Sequence, residues 1–180
     1  MKSICVYCAS NSGSSPKFQE GAEALGRTLA TNGKSLVYGG GKVGLMGALA
    51  DAVLASGGNV IGVIPHALKD RELAHNGLTE LITVADMHER KLTMANLADA
   101  FIALPGGIGT MEELFEVFTW LQLEFHSKPI GLLNIEGYYD ELLSFLNRMV
   151  TCGFVQRSHL DLLIIDTDPI RLLERMDGTQ

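Results

Sequence analysis

Basic residues are scarce in this chain: 14 lysines and arginines face 21 acids, which leaves a net charge of −7. Neutralising a nucleic-acid backbone takes a broad basic field, so the balance argues against a nucleic-acid surface. A small anionic ligand stays possible, because one arginine or one helix terminus can outweigh the global sign locally. Cysteine is equally sparse. Cys5, Cys8 and Cys152 cannot make a disulfide framework. Cys5 and Cys8 have CxxC spacing, but a redox pair of that kind belongs at a helix start, and these fall in a stretch with strand character. Residues three apart on a strand face opposite sides, so two buried, inert thiols are expected. The histidines at 66, 75, 88, 126 and 159 show no metal-ligand spacing, and no metal site is expected. No apolar run reaches the ~18 residues of a membrane span. Met1 to Tyr7 turns polar too soon for an export signal and reads as a first strand, so a cytoplasmic protein without membrane contacts is expected.

What the sequence does have is a regular alternation of short apolar runs and helical patterns over 180 residues, 47% of them hydrophobic. No linker, repeat or low-complexity segment interrupts it, so residues 1–180 read as one domain. Strands are expected at Ile4–Cys8, Ser35–Tyr38, Asn59–Ile64, Leu81–Ala85, Asp99–Leu104, Ile130–Leu133 and Leu162–Ile165. Helices are expected from Pro16 to about Asn32, Leu45 to Ser56, Asp86 onward, across Leu114 to Leu121, Tyr138 to Val150 and after Asp168-Pro169. Strands alternating with helices throughout imply an α/β fold with one doubly wound parallel sheet and right-handed crossovers.

The chemistry concentrates in Leu104-Pro105-Gly106-Gly107-Ile108-Gly109-Thr110-Met111-Glu112-Glu113. The segment before it reads as a strand buried on both faces. After it, Leu114, Phe115, Phe118 and Leu121 fall on one side of a helix. Gly106, Gly107 and Gly109 therefore join the carboxyl end of a strand to the amino end of a helix. Open α/β sheets bind ligands there, because free N–H groups and the positive helix terminus both face the crevice. The polar turn around Ser10 lies on the same sheet edge. A second glycine loop, Gly39-Gly40-Gly41 with Gly44, fits GxGxxG, but the next strand ends in Pro65-His66 where a dinucleotide site needs an acid. Lys42 is followed by Val43, which rules out a Walker loop. The polar connection from Pro65 to Thr79, holding Glu72, has the length of a binding loop.

Asp86 and Glu89 have the spacing of a capping box. Arg90 and Lys91 then sit in a first helical turn, where the dipole disfavours cations, so an anion nearby is expected to compensate. Arg90 can offer a planar, permanently charged fork to a phosphate, a ribose or Glu113.

With Gly39-Gly40-Gly41-x-x-Gly44-Leu45-Met46-Gly47, Asp86-Met87-His88-Glu89-Arg90-Lys91 and Pro105-Gly106-Gly107-x-Gly109-Thr110-x-x-Glu113 in order, the sequence closely resembles the Lonely Guy (LOG) family. Its members are cytokinin riboside 5′-monophosphate phosphoribohydrolases, often mislabelled lysine decarboxylases. The match runs from about Ile4 to Val150. The resemblance implies a Rossmann-like homodimer with helices on both sheet faces. It also implies hydrolysis of the N-glycosidic bond of an adenosine 5′-monophosphate, often N6-prenylated, without a cofactor. By position, Arg90 and Glu113 would be the catalytic pair, and Gly107, Ile108, Gly109 and Thr110 would hold the phosphate. Lys91, Glu72 and Thr119 would line the substrate site, together with Ser10, Gly40, Gly41 and Gly106. The alternative is a non-catalytic nucleotide or molybdenum-cofactor carrier. A pyridoxal-dependent decarboxylase would need a buried Schiff-base lysine, and Lys42 and Lys91 both have simpler explanations in a loop and a polar helix start.

Overall fold

The computed structural model describes residues 1–69 and 74–179. Its strands and helices alternate as β1 (Ser3–Tyr7), α1 (Pro16–Thr31), β2 (Ser35–Tyr38), α2 (Gly44–Ala55), β3 (Val60–Pro65), β4 (Glu80–Val84), α3 (Met87–Leu97), β5 (Ala100–Ala103), α4 (Ile108–Gln122), β6 (Ile130–Leu133), α5 (Asp140–Thr151), α6 (Arg157–Leu160), β7 (Leu163–Asp166) and α7 (Pro169–Asp177). The strands form one sheet in the order β4-β3-β2-β1-β5-β6-β7. All six pairings are parallel, so the doubly wound reading holds. The register sets Ile4 between Leu36 of β2 and Ala100 of β5.

Alternation along each strand divides the core in two. Ile4 and Val6 of β1, with Ala100 and Ile102 of β5, pack under α1, α2 and α7. Cys5 and Tyr7, with Phe101 and Ala103, pack under α3, α4 and α5. Both faces are covered, which is why these strands are uninterrupted apolar runs. The CxxC pair behaves as strand geometry requires. Cys5 is buried on the α4 side, while Cys8 packs against the α1 and α2 side. Among the described residues no helix is long and apolar enough to cross a membrane.

The helix ends have local causes. Ser15 caps α1 by accepting from the Lys17 N–H at 3.3 Å, with Pro16 at the first helical position. Asp86 caps α3 by accepting from the N–H groups of His88 and Glu89, both at 2.9 Å. The Glu89 carboxylate accepts from the Ala85 N–H at 2.7 Å, one residue upstream of a strict capping box. Asp168 repeats the device on α7.

Most boundaries shift from expectation by a residue, and three differences are larger. α5 starts at Asp140 because a 3₁₀ turn at Ile135–Gly137, with φ of 52° at Glu136 and 70° at Gly137, delays it. α6 is a single turn, too short to leave a periodic signal. In α4 the buried set is Thr110, Leu114, Val117 and Phe118, with Phe115 and Leu121 only partly covered. In the connection after β3, His66–Leu68 form a 3₁₀ turn and Ala74 bridges to Gly41. Glu72 lies outside the described residues.

Candidate active site

The chain winds outward from β1 to β4, then returns to β5 on the other side of β1. The carboxyl ends of β1 and β5 are therefore the switch point, where a crevice must open. A cavity of about 290 Å³ fills it, lined by Val6 to Asn11, Gly39, Met46, Arg90, Met94, Gly107 to Thr110 and Glu113.

The turn into α4 is tied from behind. The Tyr139 hydroxyl donates to the Leu104 carbonyl and the Tyr138 hydroxyl to the Gly106 carbonyl, each at 2.5 Å. The Ala9 N–H donates to the Pro105 carbonyl at 3.3 Å. The Met111 N–H reaches the Gly107 carbonyl at 3.1 Å and opens the helical ladder. The amides of Ile108, Gly109 and Thr110 stand ahead of that ladder, on residues that line the cavity. A β-carbon at Gly107 or Gly109 would meet nothing within 4 Å. Packing therefore does not demand glycine at either position, whereas close approach of a ligand to bare backbone does.

Arg90 is buried, 5% exposed, although it is an arginine in a first helical turn. Its Nε donates to the Val63 carbonyl at 3.1 Å and its Nη2 to the Gly39 carbonyl at 2.8 Å; Nη1 lies 3.6 Å from the Met87 sulfur. Gly39 permits this seat, since a β-carbon there would run into the guanidinium. Glu113 faces the same cavity from α4, and among the described residues Arg90 and Glu113 are the only charged side chains that line it. Burial, with a smaller contribution from the Glu113 charge, pushes the Cys5 and Cys8 thiols and the Tyr7 phenol upward. The floor beneath the carboxylate is thus neutral at physiological pH.

Lys91 points elsewhere. It is 8% exposed, and its ammonium lies 2.5 Å from Glu112 and 2.9 Å from Glu116 on α4. Burial works against its charge, but the two carboxylates outweigh that and raise its pKa. The expected anionic compensation is present for this residue, and Lys91 does not line the cavity.

The second glycine loop also departs from expectation. Gly39 lines the cavity; Gly40 and Gly41 do not. The Gly40 carbonyl accepts from the His75 N–H at 2.9 Å, and Gly41 bridges Ala74, so both serve the neighbouring connection. The first amides of α2 are taken up by protein: Leu45 N–H donates to the Asn11 carbonyl at 3.4 Å and Met46 N–H to the Ala9 carbonyl at 3.2 Å. Gly44, with φ of 60°, lets the two loops meet, since a side chain there would collide with the Ser10 and Asn11 backbone. The GxGxxG spacing thus produces a loop-to-loop lock in place of a phosphate grip.

Of the residues singled out from sequence, the cavity gathers Ser10, Arg90, Gly107, Ile108, Gly109, Thr110 and Glu113. Thr119 is exposed and bonds the Phe115 carbonyl, and Gly106 lies behind Thr110. Among the residues not anticipated, Tyr7, Cys8 and Ala9 had a signal in their place at a strand end, and Met46 had none. Trp120 belongs to a separate cavity with Leu92 and Phe125. Lys42 is exposed and Lys91 is ion-paired, so neither has the dry pocket of a Schiff-base lysine.

A doubly wound parallel sheet with an arginine, a glutamate and a helix terminus at its switch point defines a Rossmann-like protein whose crevice has the features of an anion site. The family model described as "Possible lysine decarboxylase" matches residues 46–176. The chain is 54% identical over 154 residues to an Arabidopsis thaliana cytokinin riboside 5′-monophosphate phosphoribohydrolase of the LOG group, covering 86% of this chain and 71% of the relative. It is 48% identical over 175 residues to a rice protein named as a probable enzyme of the same kind, covering 97% and 70%. The molybdenum cofactor binding protein of Rippkaea orientalis shares the fold, with a TM-score of 0.74 at 22% identity, covering 99% of this chain and 97% of that one. The chain belongs to the LOG family.

Proposed function

We propose that this protein hydrolyses the N-glycosidic bond of a purine nucleoside 5′-monophosphate, releasing the free base and ribose 5-phosphate. The relatives' named activity supports this. So does one observation in the site: a cavity lined by Arg90 and Glu113, the only charged lining groups among the described residues, beside the amides that open α4.

The chemistry follows from those groups. Cleavage between the anomeric carbon and the base nitrogen builds positive charge on the ribose, as in glycoside hydrolysis. The Glu113 carboxylate stabilises that charge or activates the attacking water. The amides of Ile108, Gly109 and Thr110 receive the 5′-phosphate, and the Thr110 hydroxyl adds a donor. Arg90 supplies fixed positive charge to the ribose phosphate or to the departing purine. Met46 and Met94 provide polarisable apolar surface against the base. An N6-prenylated adenosine monophosphate is the substrate proposed from the relatives' names. The protein acts as a cytoplasmic homodimer in this reading: Met87, Leu92, Leu123 and Phe125 leave a large apolar surface along α3 and the end of α4 that a second copy would cover.

The test is liquid chromatography of the protein incubated with AMP and, in parallel, isopentenyladenosine monophosphate. Free base released mainly from the prenylated nucleotide supports the full proposal, and release from both widens the substrate range. Glu113→Gln should lower turnover ~10²- to 10⁴-fold while nucleotide binding persists. If neither nucleotide yields base although both bind, the protein is a carrier and the hydrolase reading fails.

A further inference from the structure

Lys91 follows the proposed catalytic arginine directly, and one of its two partners, Glu112, directly precedes the proposed catalytic glutamate. Its ammonium, 2.5 Å from Glu112 and 2.9 Å from Glu116, links the second turn of α3 to the second and third turns of α4. Lys91 is itself nearly enclosed, 8% exposed. Glu112 and Glu116, four apart, share one face of α4, and Glu113 is turned ~100° from that face, into the cavity. Holding the 112/116 face therefore sets the rotation of α4 about its axis, and with it the direction of the Glu113 carboxylate.

Arg90 has an independent anchor. Its guanidinium is fixed to β2 and β3 through the Gly39 and Val63 carbonyls. The two reacting groups thus hang from different elements: one from the sheet through α3, the other from α4. The Lys91 bridge is an ionic link between those elements from a buried lysine to two partly exposed carboxylates, with Lys91 next to Arg90 and Glu112 next to Glu113 in sequence. Three acids within five positions of α4 would otherwise repel one another around the active carboxylate.

We infer that Lys91 is a positioning residue for the hydrolysis: its ammonium clamps Glu112 and Glu116 and so aims Glu113 into the cavity it shares with Arg90. This rests on the hydrolase reading above and differs from a substrate-contacting role for Lys91. A displacement of about 1 Å in a reacting group lowers turnover by up to ~10²-fold. Loss of a clamp thus appears in kcat, and loss of a substrate contact in KM.

The experiment measures kcat and KM for base release from isopentenyladenosine monophosphate by wild type, Lys91→Met, Lys91→Arg and Glu116→Gln. Lys91→Met should lose roughly 10- to 100-fold in kcat, with KM within about threefold of wild type. Lys91→Arg, which keeps a cation able to bridge two carboxylates, should recover part of that loss. Glu116→Gln, which removes one arm and leaves Lys91 paired, should fall between them and covers the case in which Lys91→Met does not fold. A raised KM with unchanged kcat in the lysine variants would make Lys91 a substrate ligand and overturn the inference, as would wild-type kinetics in Lys91→Met. No base release by wild type itself marks failure of the hydrolase reading and removes the positioning role with it.

Discussion

Replacing Gly39 with alanine tests how the arginine is held. Gly39 does not occupy the left-handed region, so the backbone accepts alanine there without strain. The new methyl group meets the Arg90 guanidinium, closer than non-bonded atoms approach, while its other near neighbour, the Met46 sulfur, stays at 3.4 Å. The flexible end of Arg90 gives way before the sheet does. It then loses its 2.8 Å bond to the Gly39 carbonyl and weakens the 3.1 Å bond to Val63. One buried charge-assisted bond is worth ~1.5–3 kcal/mol. With a urea m-value of ~2 kcal/mol/M, the unfolding midpoint should fall by about 1 M. The catalytic penalty is of comparable size, because a guanidinium moved by ~1 Å costs up to ~10²-fold in turnover. The assay pairs urea unfolding with base release for Gly39→Ala, Arg90→Ala and the double variant. In the Arg90→Ala background the alanine at 39 should cost almost nothing, because its collision partner is gone. An equal penalty in both backgrounds, or wild-type turnover in Gly39→Ala, would refute this account of the arginine's seat.

Two further outcomes follow from other parts of the molecule. Gly109→Ala should leave thermal stability unchanged or raise it by up to ~1 kcal/mol, since the β-carbon enters open space in a helical turn. The same variant should weaken inhibition by ribose 5-phosphate at least tenfold, and unaltered inhibition would show that the phosphate does not approach this backbone. At the far edge of the sheet, the Arg171 hydrogen bond, helped by the Asp168 N–H and Arg175, pulls the Asp166 carboxyl down to about 2. A depressed carboxylate stabilises the fold above its unfolded pKa of ~3.9, and that contribution disappears as pH falls through 2. Asp166→Asn should therefore lower unfolding stability modestly at pH 7, by ~1 kcal/mol or less because its arginine partners are exposed, with the difference vanishing toward pH 2. A penalty independent of pH would assign the effect to something other than charge.

The sheet was legible because its strands are dry on both faces. Ser35–Tyr38 and Ile130–Leu133 appear to the residue, each an apolar run bounded by turn-forming or polar residues. The 3₁₀ turn before α5 was not legible, since it depends on the Asn134 side chain accepting from the Tyr139 N–H at 2.7 Å, a contact invisible to periodicity. In the site, the strand-glycine-helix order pointed to Gly107 to Thr110 and Glu113, and the structure places these residues around one cavity. The destination of Lys91 was hidden for a different reason. Acids at Glu112 and Glu116 look like ordinary dipole complements on one helix, and only the packing of α3 beside α4 brings the ammonium between them. Gly40 and Gly41, expected at the substrate from the resemblance, serve the neighbouring connection for the same reason: spacing describes how a turn is made, not which atoms its amides reach.

The lock between the two loops decides how many charges a ligand can bring. In sheets of this kind a bound pyrophosphate draws on the helix terminus of a glycine-rich turn. Here the Leu45 and Met46 amides already answer the carbonyl oxygens of Asn11 and Ala9, so the chain supplies its own pair of acceptors at that terminus. Among the described residues, the socket left for the proposed phosphate is the start of α4, beside Arg90. A nucleotide bearing one phosphate matches that socket. In the proposed binding mode, one bearing two would bring its second phosphate towards backbone oxygens, so the lock would favour monophosphates.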